Sequence, residues 1–272
     1  MRLDEWKGVF TRSVKRFKED DCLGLAQQIA YSSLLAVFPA LAGLIGFLKV
    51  SGLFDDVLNV LSGTVPDGVT SFVRSIDADS HGGAGPAALV VGLGLAIWAA
   101  SGGMSALIKA VNRAYSLEET RPFWKQRALA ILLVVLTGLV AAIVFILIVL
   151  GGDLGRVISR QPGVGDAFDP LWGSLRWPIA FLAILVFFSL VYTIAPNRTG
   201  HWRWTSAGAI VGSLLWLVLS ALFQLYVTYA GHYSRTYGAL ATGVILLLWI
   251  NYSSYALLFG AELNSELERR RG

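Results

Sequence analysis

The chain has 272 residues, 55% of them hydrophobic and only 15% charged, with a mean hydropathy of +0.62. A soluble domain carries about a quarter charged residues; here the charges cluster between long apolar runs, so lipid is the expected solvent. The net charge of +4 borders those runs and forms no nucleic-acid-binding face, and the single cysteine, Cys22, excludes an internal disulfide framework and a cysteine-based zinc site.

Residues 1–20 have a helical pattern, with Leu3, Trp6, Phe10, Val14 and Phe17 at three- and four-residue spacing and Arg2, Lys7, Arg12, Lys15, Arg16 and Lys18 on other faces. Such a helix suits a membrane surface, or docks on the protein's own cytoplasmic face. The first apolar run begins near Ile29 and is too long for a signal-peptide core, so it reads as an anchor. Span one is expected over Gln28–Val50, with a kink at Pro39, where a backbone donor is missing. A polar stretch over Ser51–Gly85 follows, containing two short amphipathic helices (Leu53, Val57, Leu61; then Val69, Phe72, Ile76) broken at Pro66.

Span two is expected over Ala87–Ala110, span three over Ala128–Leu150, span four over Pro178–Ala195, span five over Ser206–Tyr229 and span six over Ala239–Gly260. Span six continues as a polar helix into the basic tail Arg269–Arg271. Fifteen Lys and Arg flank one side of these spans and five the other, which places both termini in the cytoplasm. The fold class expected is an all-α polytopic membrane protein with six transmembrane helices. It forms one domain over 1–272: an amphipathic helix at 1–27, a helical core at 28–262 and a basic tail at 263–272.

Polar groups inside spans are costly, so their positions are informative. In span two, Ser101, Ser105, Lys109 and Asn112 recur at steps of four, four and three and share a helix face. Gly102 and Gly103 beside them permit close helix approach or local unwinding. Ser213, Ser220, Gln224 and Thr228 share a face of span five, and Asn251, Tyr255 and Glu262 one of span six. Spans two and six run in the same direction, so Lys109 and Glu262 are expected at similar depth. Gln28 and Tyr31 at the start of span one, and Asn197 after span four, are expected at that level too. The bland alternative is that Glu262 neutralises Lys109 or Arg113 and only fixes packing. Most tryptophans fall at span ends, as an aromatic belt would place them, while Trp98 and Trp249 lie deeper and are expected in the core. His81, His201 and His232 have no metal-ligand spacing, and no phosphate loop, dinucleotide fingerprint or nucleophile elbow is present.

The segments AYSSLLAVFPAL at 30–41, WAASGGMSALIKAVNRAY at 98–115, EETRPFWKQR at 118–127, YTIAPN at 192–197, and 237–264 ending in WINYSSYALLFGAELN resemble, in this order, the YihY/BrkB family of bacterial inner-membrane proteins. The likeness runs over roughly residues 15–265. The resemblance implies a six-span inner-membrane protein connected with virulence, serum resistance and envelope lipid or lipopolysaccharide traffic. Some members carry a ribonuclease label. The sequence has no clustered carboxylates or histidines suited to metal-assisted phosphodiester cleavage.

The function expected is therefore that of a transporter or flippase-like protein for an envelope lipid or other amphiphile, and not that of an enzyme. The alternative is a non-transporting scaffold or partner subunit. Substrate or network candidates are Gln28, Tyr31, Ser105, Lys109, Asn112, Arg113, Asn197 and Glu262; Pro39, Gly102 and Gly103 are helix-break candidates. No cofactor or metal is expected. The partners expected are membrane lipids and envelope proteins, not nucleic acid, and a homo-oligomer is allowed.

Overall fold

A computed structural model describes residues 3–52, 54–62, 86–147, 168–198, 206–230 and 233–270. Eight helices account for nearly all of them: α1 (Leu3–Glu19), α2 (Cys22–Val50), α3 (Phe54–Ser62), α4 (Pro86–Ala114), α5 (Phe123–Phe145), α6 (Phe168–Ile194), α7 (Ala207–Ala230) and α8 (Tyr233–Arg269). Among the described residues there is no strand. The second expected amphipathic helix, 69–76, and Pro66 lie outside the described residues.

Five helical segments are long and apolar enough to cross a membrane: Gly94–Ala114, Phe123–Phe145, Leu171–Ile194, Ala207–Val227 and Gly243–Arg269. Helix α2 has 29 residues. At about 1.5 Å per residue its length exceeds the ~30 Å hydrocarbon thickness, and its apolar stretch among the described residues is the shorter Cys22–Val37. The chain is a polytopic membrane protein.

Local sequence sets several helix ends. The side chain of Asp21, itself in left-handed backbone conformation at φ 52°, accepts the Gly24 N–H at 3.4 Å and caps α2. Pro86 opens α4, where its missing N–H costs nothing, and Pro122 immediately precedes α5. Helix α2 runs on to either side of Pro39, the position of the expected kink. One expectation about proline needs correction: α6 begins ten residues before Pro178 rather than at it. Neighbouring helices in a bundle can satisfy the carbonyls an interior proline frees.

Each long helix packs against the next in chain order, from α2 to α4, α5, α6, α7 and α8, and α8 returns to pack on α2. The ring is closed, with α4 and α8 also in contact across it. Apolar burial gives no net drive between helices in lipid, so close backbone approach and hydrogen bonds carry the packing. At the α2–α4 crossing, Gly103 sits against the backbone of Ser33; a Cβ there would stand 3.2 Å from the Ser33 Cα. At the α7–α8 crossing Gly208 and Gly260 meet backbone to backbone, and a Cβ on either would collide with the other's carbonyl. Tyr192 of α6 spans this crossing, its hydroxyl donating to the Leu257 carbonyl at 2.7 Å. Outward faces of α5 remain uncovered, with Leu132, Val135, Leu139 and Ile143 forming an exposed apolar stripe suited to lipid. Trp98 is 51% exposed, and Trp249 is also open on one side, so the expectation that both are core residues is corrected.

Candidate functional site

The buried polar groups concentrate at one end of the ring, where α2, α5 and α7 begin and α4, α6 and α8 finish. The amphipathic α1 docks there: Val9 packs with Leu263 and Leu267, and Arg12 is ion-paired with Glu266.

Glu262 is completely buried. This stretch of α8 is buried on every face, from Gly260 to Leu267, because α1, α2, α4 and α7 all pack on α8. The Glu262 Oε1 accepts from the Cys22 Sγ at 3.5 Å, while Oε2 has no hydrogen-bond partner among the described residues. Asp20 and Arg16 are its charged neighbours. Arg113 does not reach it: the Arg113 Nε pairs instead with Asp20 Oδ1 at 3.4 Å. Lys109 is exposed. The expected cationic partner is thus replaced by a relay in which Arg113 faces Asp20 and Asp20 neighbours Glu262.

A second network ties α4 to the segment after α6. Asn112 is buried, and its Oδ1 accepts the Asn197 backbone N–H at 2.7 Å while its Nδ2 donates to Glu119 Oε2 at 2.8 Å. Glu119 is held from the other side by Arg121, through Nε at 2.7 Å and Nη2 at 2.6 Å. Arg121 Nη2 also donates to the Ala195 carbonyl at 2.8 Å. The Arg121 hydrogen bonds hold the Glu119 carboxyl below its ordinary value. The Asn197 side chain donates to the Glu118 carbonyl at 2.7 Å and the Thr120 hydroxyl at 2.8 Å. Beyond it, Arg198 pairs with Glu268 and lies over the Tyr115 ring, 4.5 Å from its centroid. Burial pushes the Tyr115 phenol up.

The structure therefore brings Asn112 and Asn197 into direct contact and links Arg113 to Glu262 through Asp20. It does not bring in Gln28 or Tyr31, which are exposed on α2, the tyrosine by 61%. The Ser105 hydroxyl donates to the Ser101 carbonyl one turn back at 2.8 Å, a local bond. Helix α4 continues through Gly102 and Gly103; Gly103 provides the close approach, and Gly102 faces open space. Sequence reasoning missed Asp20, Cys22, Glu119 and Arg121. The pair Asp20-Asp21 ahead of a helical apolar run is a capping signal that places the start of α2, and hence Cys22, inside the bundle. Among the described residues, no group of three or more His, Cys, Asp or Glu is placed to hold a metal ion.

A family profile described as virulence factor BrkB matches residues 13–272. The ribonuclease-like protein YfkH of Bacillus subtilis is 33% identical over 247 residues, covering 90% of this chain and 89% of YfkH. A UPF0761 membrane protein of Idiomarina loihiensis is 25% identical, with 98% of this chain and 96% of the relative covered. A UPF0761 membrane protein of Alteromonas mediterranea is 29% identical, over 96% of this chain and 86% of its own length. No solved structure matches the chain.

Proposed function

The chain belongs to the virulence factor BrkB family of membrane proteins, and from that premise we propose that it moves an amphiphilic envelope molecule, a lipid, across the bacterial inner membrane, with both termini cytoplasmic. The observation that carries this reading is Glu262: a fully buried carboxyl group on a membrane-length helix, with one oxygen left without a partner among the described residues. An ionisable side chain inside a membrane segment is costly and by default marks a pathway or a switch.

In this reading Glu262 is the switch, and the Asp20–Arg113 pair sets the charge around it. Asn112 and Asn197 hold the rim of the pathway between α4 and α6. The Gly208–Gly260 and Gly103–Ser33 crossings are the surfaces along which helices slide in this reading. The ribonuclease-like name is that of YfkH, and none of the roles given to Glu262, Asn112 or Asn197 derives from it.

The test is lipid movement in proteoliposomes, followed with a quenchable headgroup-labelled lipid. The wild-type chain is expected to exceed protein-free vesicles, and Glu262→Gln to fall to their level while remaining folded. Wild-type protein that is folded yet moves no lipid across a panel of headgroups would sink the proposal. Full movement by Glu262→Gln would remove the switch from it.

A further inference from the structure

Helix α1 presents three distinct faces. Val9 and Ser13 are buried, Val9 against Leu263 and Leu267 of α8. Lys7, Lys15 and Lys18 are exposed on another side, Lys15 paired with Glu19 at 3.4 Å. Between these faces Trp6, Phe10 and Val14, each four residues from the next, form an exposed apolar stripe, with Phe10 52% open. The rotation of α1 that exposes this stripe is fixed by the ion pair of Arg12 with Glu266.

The stripe is level with the membrane-length part of α8. The Phe10 ring meets Phe259 edge-on with centroids 5.4 Å apart, and Phe17 meets Phe259 and Tyr255 at 6.1 and 6.3 Å. Both α8 residues belong to the apolar segment Gly243–Arg269. Phe259 and Tyr255 are each partly exposed, so the open side of Phe10 adjoins partly exposed aromatic surface on a membrane-length helix. An apolar stripe bordered by lysines matches the layered chemistry of a bilayer surface, where acyl chains lie below anionic headgroups.

We propose that α1 lies in the headgroup layer of the same bilayer, with Trp6, Phe10 and Val14 seated among acyl chains and Lys7 and Lys18 holding anionic lipid headgroups. The occupant is lipid rather than a second copy or a soluble partner because the stripe is narrow, adjoins a helix of membrane-spanning length and is bordered by cations. Interfacial helices of this kind bury their apolar face about 5–10 Å into the boundary between headgroups and chains. Each lysine near an anionic surface contributes about fivefold to the local affinity.

The test places single nitroxide labels on the full chain at Trp6→Cys, Phe10→Cys and Val14→Cys, and at Lys7→Cys and Lys15→Cys. The parent chain serves as the blank, because its only cysteine, Cys22, is fully buried. Proteoliposomes contain either a phosphatidylglycerol–phosphatidylethanolamine mixture or phosphatidylcholine alone. Labels at 6, 10 and 14 are expected to collide with dissolved oxygen and to be shielded from a water-soluble nickel complex. Labels at 7 and 15 are expected to show the opposite. Replacing Lys7 and Lys18 by Gln should shift the label at 10 toward water only in the anionic vesicles. Labels at 10 and 14 open to the nickel complex would overturn the proposal. So would labels shielded from both reagents, which would mean that protein covers the stripe. A Lys7→Gln, Lys18→Gln effect of equal size in both vesicle types would remove the anionic-headgroup part.

Discussion

Arg113 and Asp20 stand 3.4 Å apart, joining the end of α4 to the turn between α1 and α2. This pair takes up the cation that sequence spacing assigns to Glu262. The Arg113 side chain is 63% exposed, so the pair is screened by water and worth at most about 1 kcal/mol. Arg113→Gln should therefore leave the detergent-solubilised protein folded, with a melting temperature close to that of the wild type. A large loss would mean that the pair is structural in a way its exposure does not imply.

Glu262 should respond to charge more than to shape. Glu262→Gln keeps an acceptor for Cys22 and should retain monodisperse, thermally stable protein. Glu262→Lys places an ammonium group where no exposure remains and should cost several kcal/mol, at least about 3. Size-exclusion profiles and thermal melts of the two variants separate these outcomes; equal stability would contradict the burial.

The four glycines at or near helix crossings should divide into two classes. Gly208→Ala and Gly260→Ala each drive a methyl group into a facing carbonyl and should destabilise by about 1–3 kcal/mol. Gly102→Ala meets nothing within 4 Å and should be neutral or stabilising by about 0.5–1 kcal/mol, because alanine is the better helix former. Gly103→Ala, against Ser33, should fall with the damaging class. Thermal melts of all four variants check this ordering.

Asn112→Ala removes the acceptor for the Asn197 N–H and the donor to Glu119. The half-buried N–H left behind should cost about 1 kcal/mol. Hydrogen exchange should quicken in the peptide containing residues 195–198, while peptides of α7 stay unchanged. An unchanged rate at 195–198 would show that the segment is held without Asn112.

Acid should loosen the same corner. Glu119 is held below its ordinary value of 4.5, chiefly by the hydrogen bonds from Arg121. A carboxyl depressed in the folded state contributes stability that is complete above its unfolded value and is lost as pH falls through the folded one. Melting temperature should therefore fall below about pH 4.5, and Arg121→Gln should flatten that part of the profile. An acid limb of the same steepness in the variant would assign the loss to other carboxylates.

The spans were legible because about 20 apolar residues are needed to cross a bilayer and little else in a sequence looks like that. Their ends were less legible. Pro178 reads as a helix start, yet it lies inside α6, because other helices can satisfy the groups a proline frees. Glu262 and Asn112 stood out as polar groups in apolar surroundings, and both are buried. Their partners did not, because partner choice depends on how each helix is rotated about its axis. Periodicity puts Lys109 and Asn112 on one stripe of α4, yet one is exposed and the other buried, since the stripe straddles the edge of the interface. Asp20 and Cys22 fell outside the expected first span because α2 starts at Cys22 and not at Gln28.

The order in which the long helices touch has a consequence for how the protein is made. From α2 through α8 each newly synthesised long helix packs on the one before it, so a nascent chain leaving the ribosome always finds its neighbour already inserted. Helix α8 must also find partners from earlier in the chain, because it closes on α2 and receives α1. Until α8 arrives, Cys22 lacks Glu262 and Arg12 lacks Glu266. Helix α8 thus completes both the ring and its polar end, and a chain cut short before α8 has neither.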